Sequence, residues 1–110
     1  LASGGNIITS NMCDSNGQAV AGGAGIHVIG ADNRIEDNNI SSTDRGIETS
    51  TSGNFVVRNT CSGNATNWVL AANTIYGPIL DRTAPAAAAV NGSTGPGSLG
   101  TTDPNANFTY

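Results

Sequence analysis

The feature that most constrains this chain is a pattern that returns every 21 residues. Gly25-Ile26-His27-Val28 is followed by Gly46-Ile47-Glu48-Thr49 and then by Asn67-Trp68-Val69-Leu70. Between these runs a second pattern repeats at the same interval: Asn33-Arg34-Ile35-Glu36-Asp37-Asn38-Asn39-Ile40 becomes Asn54-Phe55-Val56-Val57-Arg58-Asn59-Thr60-Cys61. An earlier copy, Asn6-Ile7-Ile8-Thr9-Ser10-Asn11-Met12-Cys13, precedes Asn33 by 27 residues, so the first copy carries six extra residues. A fixed period in this range marks a solenoid, in which each copy is too short to bury a core alone and gains one by stacking on its neighbours.

Within each copy apolar residues fall at every second position, the signature of short strands with one face buried. Stacking the copies puts Ile8, Ile35, Val56 and Ile75 in one column. Cys13, Ile40, Cys61 and Leu80 form another if Asn73 opens a fourth copy. The Asn residues align too: Asn6, Asn33, Asn54 and Asn73 in one column, Asn11, Asn38 and Asn59 in a second. Asn accepts left-handed backbone at sharp corners, and stacked Asn side chains bond to one another as a ladder. A row of metal-binding Asn is the weaker reading, because amide oxygens hold hard cations beside carboxylates, which these columns lack. The six extra residues fall around Gln18 to Gly25, a stretch expected to bulge as a loop, more simply a tolerated insertion than a binding element. After Leu80 the period stops. Residues 81–110 are expected to form an irregular Ala/Gly/Pro-rich tail that packs on or caps the stacked copies of residues 1–80, with a short helix at Ala86 to Val90 as its one regular option.

Composition excludes several functions. The chain has a net charge of −4, and its only basic side chains apart from His27 are four Arg. Nucleic-acid binding needs a basic face to neutralise phosphates, so it is not expected. No run of 18 apolar residues is present and no membrane insertion is expected. Leu1 in place of Met, and the lack of a basic-then-apolar leader, read as a processed product or a piece of something longer. Cys13 and Cys61 share a column two copies apart, a spacing of roughly 10 Å against the 7 Å or so that a disulfide tolerates. Two free, buried thiols are therefore expected.

From Gly5 to Leu80, the run Gly-Ile-x-Val followed by Gly-x-x-Asn-x-Ile-x-x-Asn-x-Ile resembles the right-handed parallel β-helix repeat family. That family includes pectate-lyase-like domains and the periplasmic copper-delivery accessory type. The closing Asp103-Pro104-Asn105-Ala106-Asn107-Phe108-Thr109-Tyr110 is similar to C-terminal ends of secreted bacterial members. The resemblance implies an all-β right-handed parallel β-helix of three to four coils with an irregular tail, located outside the cell, on its surface or in the periplasm. It says little about function, since one scaffold carries lyases, hydrolases, adhesins and fibres.

The candidate chemistry is sparse. Register places Glu48 one copy above His27, the only acid–base pair that stacking brings together. Such a pair can serve general acid–base chemistry, while the plainer alternative is a solvated cross-strand pair. Arg34 and Glu36 should point outward from one strand face. Tyr76 is expected as an exposed aromatic in the column of Ser10, Asp37 and Arg58, giving an Arg58–Tyr76 cation–π contact or a small carbohydrate patch. Trp68 should face inward and plug the last copy. Asp14, Asp32, Glu36, Asp37, Asp44 and Glu48 scatter over different columns, so no lyase or glycosidase pair converges. No His or Cys cluster suggests zinc or copper, and no metal or cofactor is expected. Sequons begin at Asn39, Asn64, Asn91 and Asn107, as chance allows in so Asn-rich a chain. The leading expectation is a non-catalytic structural or assembly module that meets preceding coils or a second copy of itself. The alternative is the C-terminal piece of a polysaccharide lyase or hydrolase that binds glycan through Arg58 and Tyr76, with His27 and Glu48 as further binding candidates. A metal-handling periplasmic module is the third.

Overall fold

The computed structural model describes residues 1–17, 22–83 and 100–110. Gln18 to Ala21 and the Ala86 to Val90 segment lie outside the described residues, and so does the helix expected over the latter; of the loop expected from Gln18 to Gly25, the described end is shorter, since Ala24 and Gly25 already belong to a strand. The described chain is all-β, with twelve strands and no helix: β1 Ile7–Thr9, β2 Met12–Asp14, β3 Ala24–Val28, β4 Arg34–Glu36, β5 Asn39–Ser41, β6 Arg45–Thr49, β7 Phe55–Val57, β8 Thr60–Ser62, β9 Thr66–Leu70, β10 Ile75–Tyr76, β11 Ile79–Asp81 and β12 Asn107–Thr109. Every pairing is parallel, and the strands form three sheets ordered β1-β4-β7-β10, β3-β6-β9 and β2-β5-β8-β12-β11.

The register follows the repeat. Ile8 pairs with Ile35 and Ile35 with Val56. Cys13 pairs with Ile40 and Ile40 with Cys61. In the third sheet Ile26, Ile47 and Trp68 run in line, as do His27, Glu48 and Val69. The inward columns make the core: Val28, Ile35, Ile40, Ile47, Val56 and Cys61 are each 0% exposed, with Ile8, Cys13, Trp68 and Leu70 packed at its edges. Gly25 and Gly46 also face inward. A Cβ on Gly25 would strike Ile40 Cγ2, and one on Gly46 would reach Cys61 Sγ and the Asn67 carbonyl, so the Gly of each Gly-Ile-x-Val run lets the third sheet approach the second. Because Gly25/Gly46 and Ile26/Ile47 are consecutive and both turned inward, the alternation slips there. Arg45 and Glu48, three residues apart, consequently meet on the outer face.

The corners are Asn ladders. Asn6, Asn33 and Asn54 form one, with each amide and main-chain N–H donating to the next Oδ1 at 2.9–3.1 Å. Asn11, Asn38, Asn59 and Asn107 form a second, at 3.0–3.2 Å. The left-handed residue at each corner is the one before the Asn: Gly5, Asp32 and Gly53 in one column, Ser10, Asp37 and Arg58 in the other. Asn73, aligned by sequence in the first column, does take that conformation, with φ of 61°; the Asn that form the ladders do not, which corrects the expectation for them. They keep ordinary backbone and use their side chains to fill main-chain groups that a tight corner leaves unpaired, such as the Ile35 and Val57 carbonyls bonded by Asn59.

Two columns end differently from the sequence-based alignment. Ile75 is registered on Phe55 and Tyr76 on Val56, one position off the expected match. Thr74, not Asn73, then stands beside Asn54. Leu80 does not join the Cys61 column either. The C-terminal strand β12 slides between β8 and β11, so Thr109 lies on Cys61 and Leu80 pairs with Phe108. Asn107, 0% exposed, supplies the fourth rung of the second ladder. Both cysteines are free, as spacing required, but only Cys61 is fully buried; Cys13 is half-buried in the first strand layer.

Candidate functional site

Three places on the surface gather chemistry. The first is the outer face of the third sheet. His27 and Glu48 are register partners, with His27 Nε2 4.0 Å from Glu48 Oε2. Arg45 donates to Glu48 Oε1 at 2.6 Å, which raises the Arg45 guanidinium pKa. Glu48 Oε2 is buried and has no hydrogen-bond partner among the described residues. His27 Nε2 also lies 3.0 Å from Ser50 Oγ. A Ser-His-acid relay needs the hydroxyl and the carboxylate on opposite ring nitrogens, and here both face the same one. The arrangement sets an imidazole beside a carboxylate without a hydrogen bond between them and anchors the Arg45 side chain on that carboxylate, but it does not activate Ser50.

The second is a charged cluster on the outer face of the first sheet. Arg34 and Glu36 point outward from one strand as expected, with Nε to Oε2 at 2.5 Å. Arg58 reaches down one copy to Glu36 at 2.7 Å and to Asp37 at 2.9 and 3.1 Å. Its hydrogen bond and charge hold the Asp37 carboxyl below the usual carboxylate range. The residue set over Arg58 is Asn105 of the tail, whose carbonyl accepts from the Arg58 main chain at 3.3 Å and whose Oδ1 lies 3.4 Å from the guanidinium. This corrects the expected Arg58–Tyr76 stack, because the one-residue shift of β10 puts Tyr76 in the Val56 column. The cation–π contact that forms among the described residues is Arg34 over Phe55, 4.9 Å from the ring centre. Sequence reasoning missed it although Arg34 and Phe55 are 21-residue equivalents.

The third place is the pair of sheet ends. At one end β1, β2 and β3 each have one strand neighbour; at the other, β9, β10 and β11 do. An open hollow of about 440 Å³ at the second end is lined by Trp68, Leu70, Tyr76 and Ile79 among others. Trp68 faces inward and donates from Nε1 to Thr109 Oγ1 at 2.8 Å, so β12 anchors it. At the first end Leu1 runs beside β3, its ammonium on the His27 carbonyl at 2.6 Å and its carbonyl accepting from Ile29 at 2.7 Å. No group of three or more His, Cys, Asp or Glu that could hold a metal occurs among the described residues. Among the same residues, no helix is long and apolar enough to cross a membrane. Of the four sequence-predicted binding residues, the structure brings His27 and Glu48 together and leaves Arg58 and Tyr76 apart. Comparison with protein-family models, curated proteins and solved structures finds no match to this chain.

Proposed function

We propose that this chain is a short right-handed parallel β-helix that serves as a structural assembly module of a secreted or cell-surface protein, without turnover of a substrate. The strand recurrence supports the winding: neighbours in all three sheets through β9 are three strands apart in sequence, and parallel crossovers of this kind are right-handed in nearly every case. One observation carries the assembly role. Ile8 and Cys13 are half-buried, while Ile35 and Ile40, which occupy the same columns one copy on, are 0% exposed. The first coil is a core layer covered on one side, and its edge strands are templates for further strands. Around it stand Ile7 and Met12, 66% and 80% exposed.

The glycan-binding alternative has less beneath it, since Arg58 is engaged by Glu36, Asp37 and Asn105 and Tyr76 stands in another column. Sedimentation across a concentration series tests the assembly role. The isolated chain is expected to self-associate, and Ile7→Lys with Met12→Lys, exposed positions where charge opposes the meeting of two copies, should return it to a monomer. A clean monomer at millimolar concentration would sink the proposal.

A further inference from the structure

The two Asn ladders have a direction. In every rung the main-chain N–H and the Nδ2 amide of one Asn donate to Oδ1 of the Asn in the following copy: Asn6 to Asn33 to Asn54, and Asn11 to Asn38 to Asn59 to Asn107. Each Oδ1 from the second rung onward thus accepts two hydrogen bonds. Asn6 Oδ1 and Asn11 Oδ1 accept none from the described residues, and they stand at the same end as the half-covered Ile8 and Cys13. The other end is closed to this pattern. Asn54 Nδ2 is taken by the Gly30 and Thr51 carbonyls, and Asn107 Nδ2 by those of Val56 and Gly77. The positions beyond them are Thr74, whose hydroxyl meets Thr49 Oγ1 at 3.1 Å, and Ile79, registered on Asn107. Neither residue can donate a side-chain amide.

We infer that the β1–β2 face takes a parallel strand–corner–strand segment of a partner polypeptide carrying two Asn five residues apart, each donating its main-chain N–H and side-chain amide to Asn6 Oδ1 and Asn11 Oδ1. This rests on the assembly role proposed above and names its partner chemistry. The five-residue spacing is that of Asn6/Asn11, Asn33/Asn38 and Asn54/Asn59. An apolar residue two positions after each Asn would cover Ile8 and Cys13, as Ile35 and Ile40 do from the other side. The far end of a second copy can meet the face through edge pairing and apolar contact, but it offers Thr74 and Ile79 where the ladders call for amides.

The probe is a peptide with the sequence of residues 33–41, which holds both Asn and both apolar residues, against the same peptide carrying Asn33→Ala and Asn38→Ala. Each is titrated into the full isotope-labelled chain, kept dilute enough that sedimentation shows single chains, and followed by amide chemical shifts. The intact peptide is expected to bind about tenfold more tightly, from the two side-chain amide hydrogen bonds that the Ala peptide cannot make. Shifts should be confined to β1 and β2, and Cys13 should react more slowly with a thiol reagent while Cys61 does not change. Asn6→Ala with Asn11→Ala in the chain should erase the preference between peptides. Equal binding of the two peptides, shifts centred on β10 and β11, or no binding of either would overturn the inference. If the chain at higher concentration still self-associates through Ile7 and Met12 in those cases, the assembly role stands without it. A chain that stays monomeric at every concentration yet selects the intact peptide would uphold the ladder partner and overturn self-association instead.

Discussion

The two ends of the sheets are built from the same repeat yet finish differently. At the β1–β2 end the ladders stop on exposed or half-exposed Asn6 and Asn11, and the inward residues Ile8 and Cys13 are half-covered. At the other end the chain supplies its C-terminal strand, Asn107–Thr109. It lays β12 on β8, adds a buried fourth Asn rung, and hydrogen-bonds Trp68 through Thr109. A core layer is completed when a strand covers it from both sides, whichever part of the sequence supplies that strand. One end recruits its cover from the tail, and the other presents the same kind of surface uncovered.

The sharpest test of this contrast compares one rung at each depth. Asn59 is 0% exposed and serves Asn38, Ile35, Val57 and Asn107 at once. Asn59→Ala leaves several buried polar groups unpaired and should cost about 3 kcal/mol or more. Asn11→Ala leaves the Asn38 Oδ1 with the Asn11 main-chain donor and the rest to water, and should cost about 1 kcal/mol or less. Urea unfolding midpoints read both; equal losses would show that the ends do not differ in how far they depend on their ladders.

How much of this was legible beforehand depends on the range of each contact. The 21-residue pairs, Ile35 with Val56 and His27 with Glu48, follow from period alone, and even the 27-residue offset of the first copy leaves Ile8 on Ile35. The fourth copy does not, since its two-residue strand carries too little pattern to separate a shift of one. The insertion of β12 was invisible for a different reason. Asn107 lies 48 residues from Asn59, outside any period, and three residues fix a register only once Cys61 and Trp68 are in place to receive them. Arg45 on Glu48 was missed because strict alternation puts them on opposite faces; the inward pair Gly46–Ile47 restores them to one.

The two cysteines carry the comparison into reactivity. They stand in one column on either side of Ile40, and burial raises both thiols, Cys61 to about 12. Thiolate is the reacting form, so one equivalent of a disulfide reagent should react at pH 8 in the native chain, at Cys13, with Cys61 reacting only on unfolding. The linkage runs in one direction. The unfolded thiol ionises near 9.0 and the folded Cys61 only near 12, so its contribution is intact below about pH 9 and is lost as pH climbs toward 12. Cys61→Val should flatten that alkaline decline, whereas Cys13→Val should change it less.

A smaller effect is expected where the tail meets the core. Thr109→Val keeps the shape of β12 and removes the acceptor for Trp68 Nε1, at a cost of about 1 kcal/mol. The Trp68 emission should move as the indole loses its partner. Unchanged emission and stability would mean that β12 is held by its Asn107 rung alone, and the second end would then owe its closure to the ladder instead of to the core.

The smallest effect separates corner geometry from charge. Arg58 occupies the left-handed position before Asn59 with φ of 55°, where its equivalents are Ser10 and Asp37. A side chain there strains the backbone, and glycine does not. Arg58→Ala removes the pairs to Glu36 and Asp37 and keeps the strain, while Arg58→Gly removes both. The pairs are largely solvent-screened, so Arg58→Gly should unfold at higher urea than Arg58→Ala, and the gap should persist in high salt. A ranking that reverses would remove the strain argument, and a loss from the wild-type chain to Arg58→Gly that is large and shrinks as salt rises would assign this corner to its ion pairs. The exposed Ser10 corner, which has a left-handed residue and no such pairs, would then be the weaker of the two for reasons of charge rather than of cover.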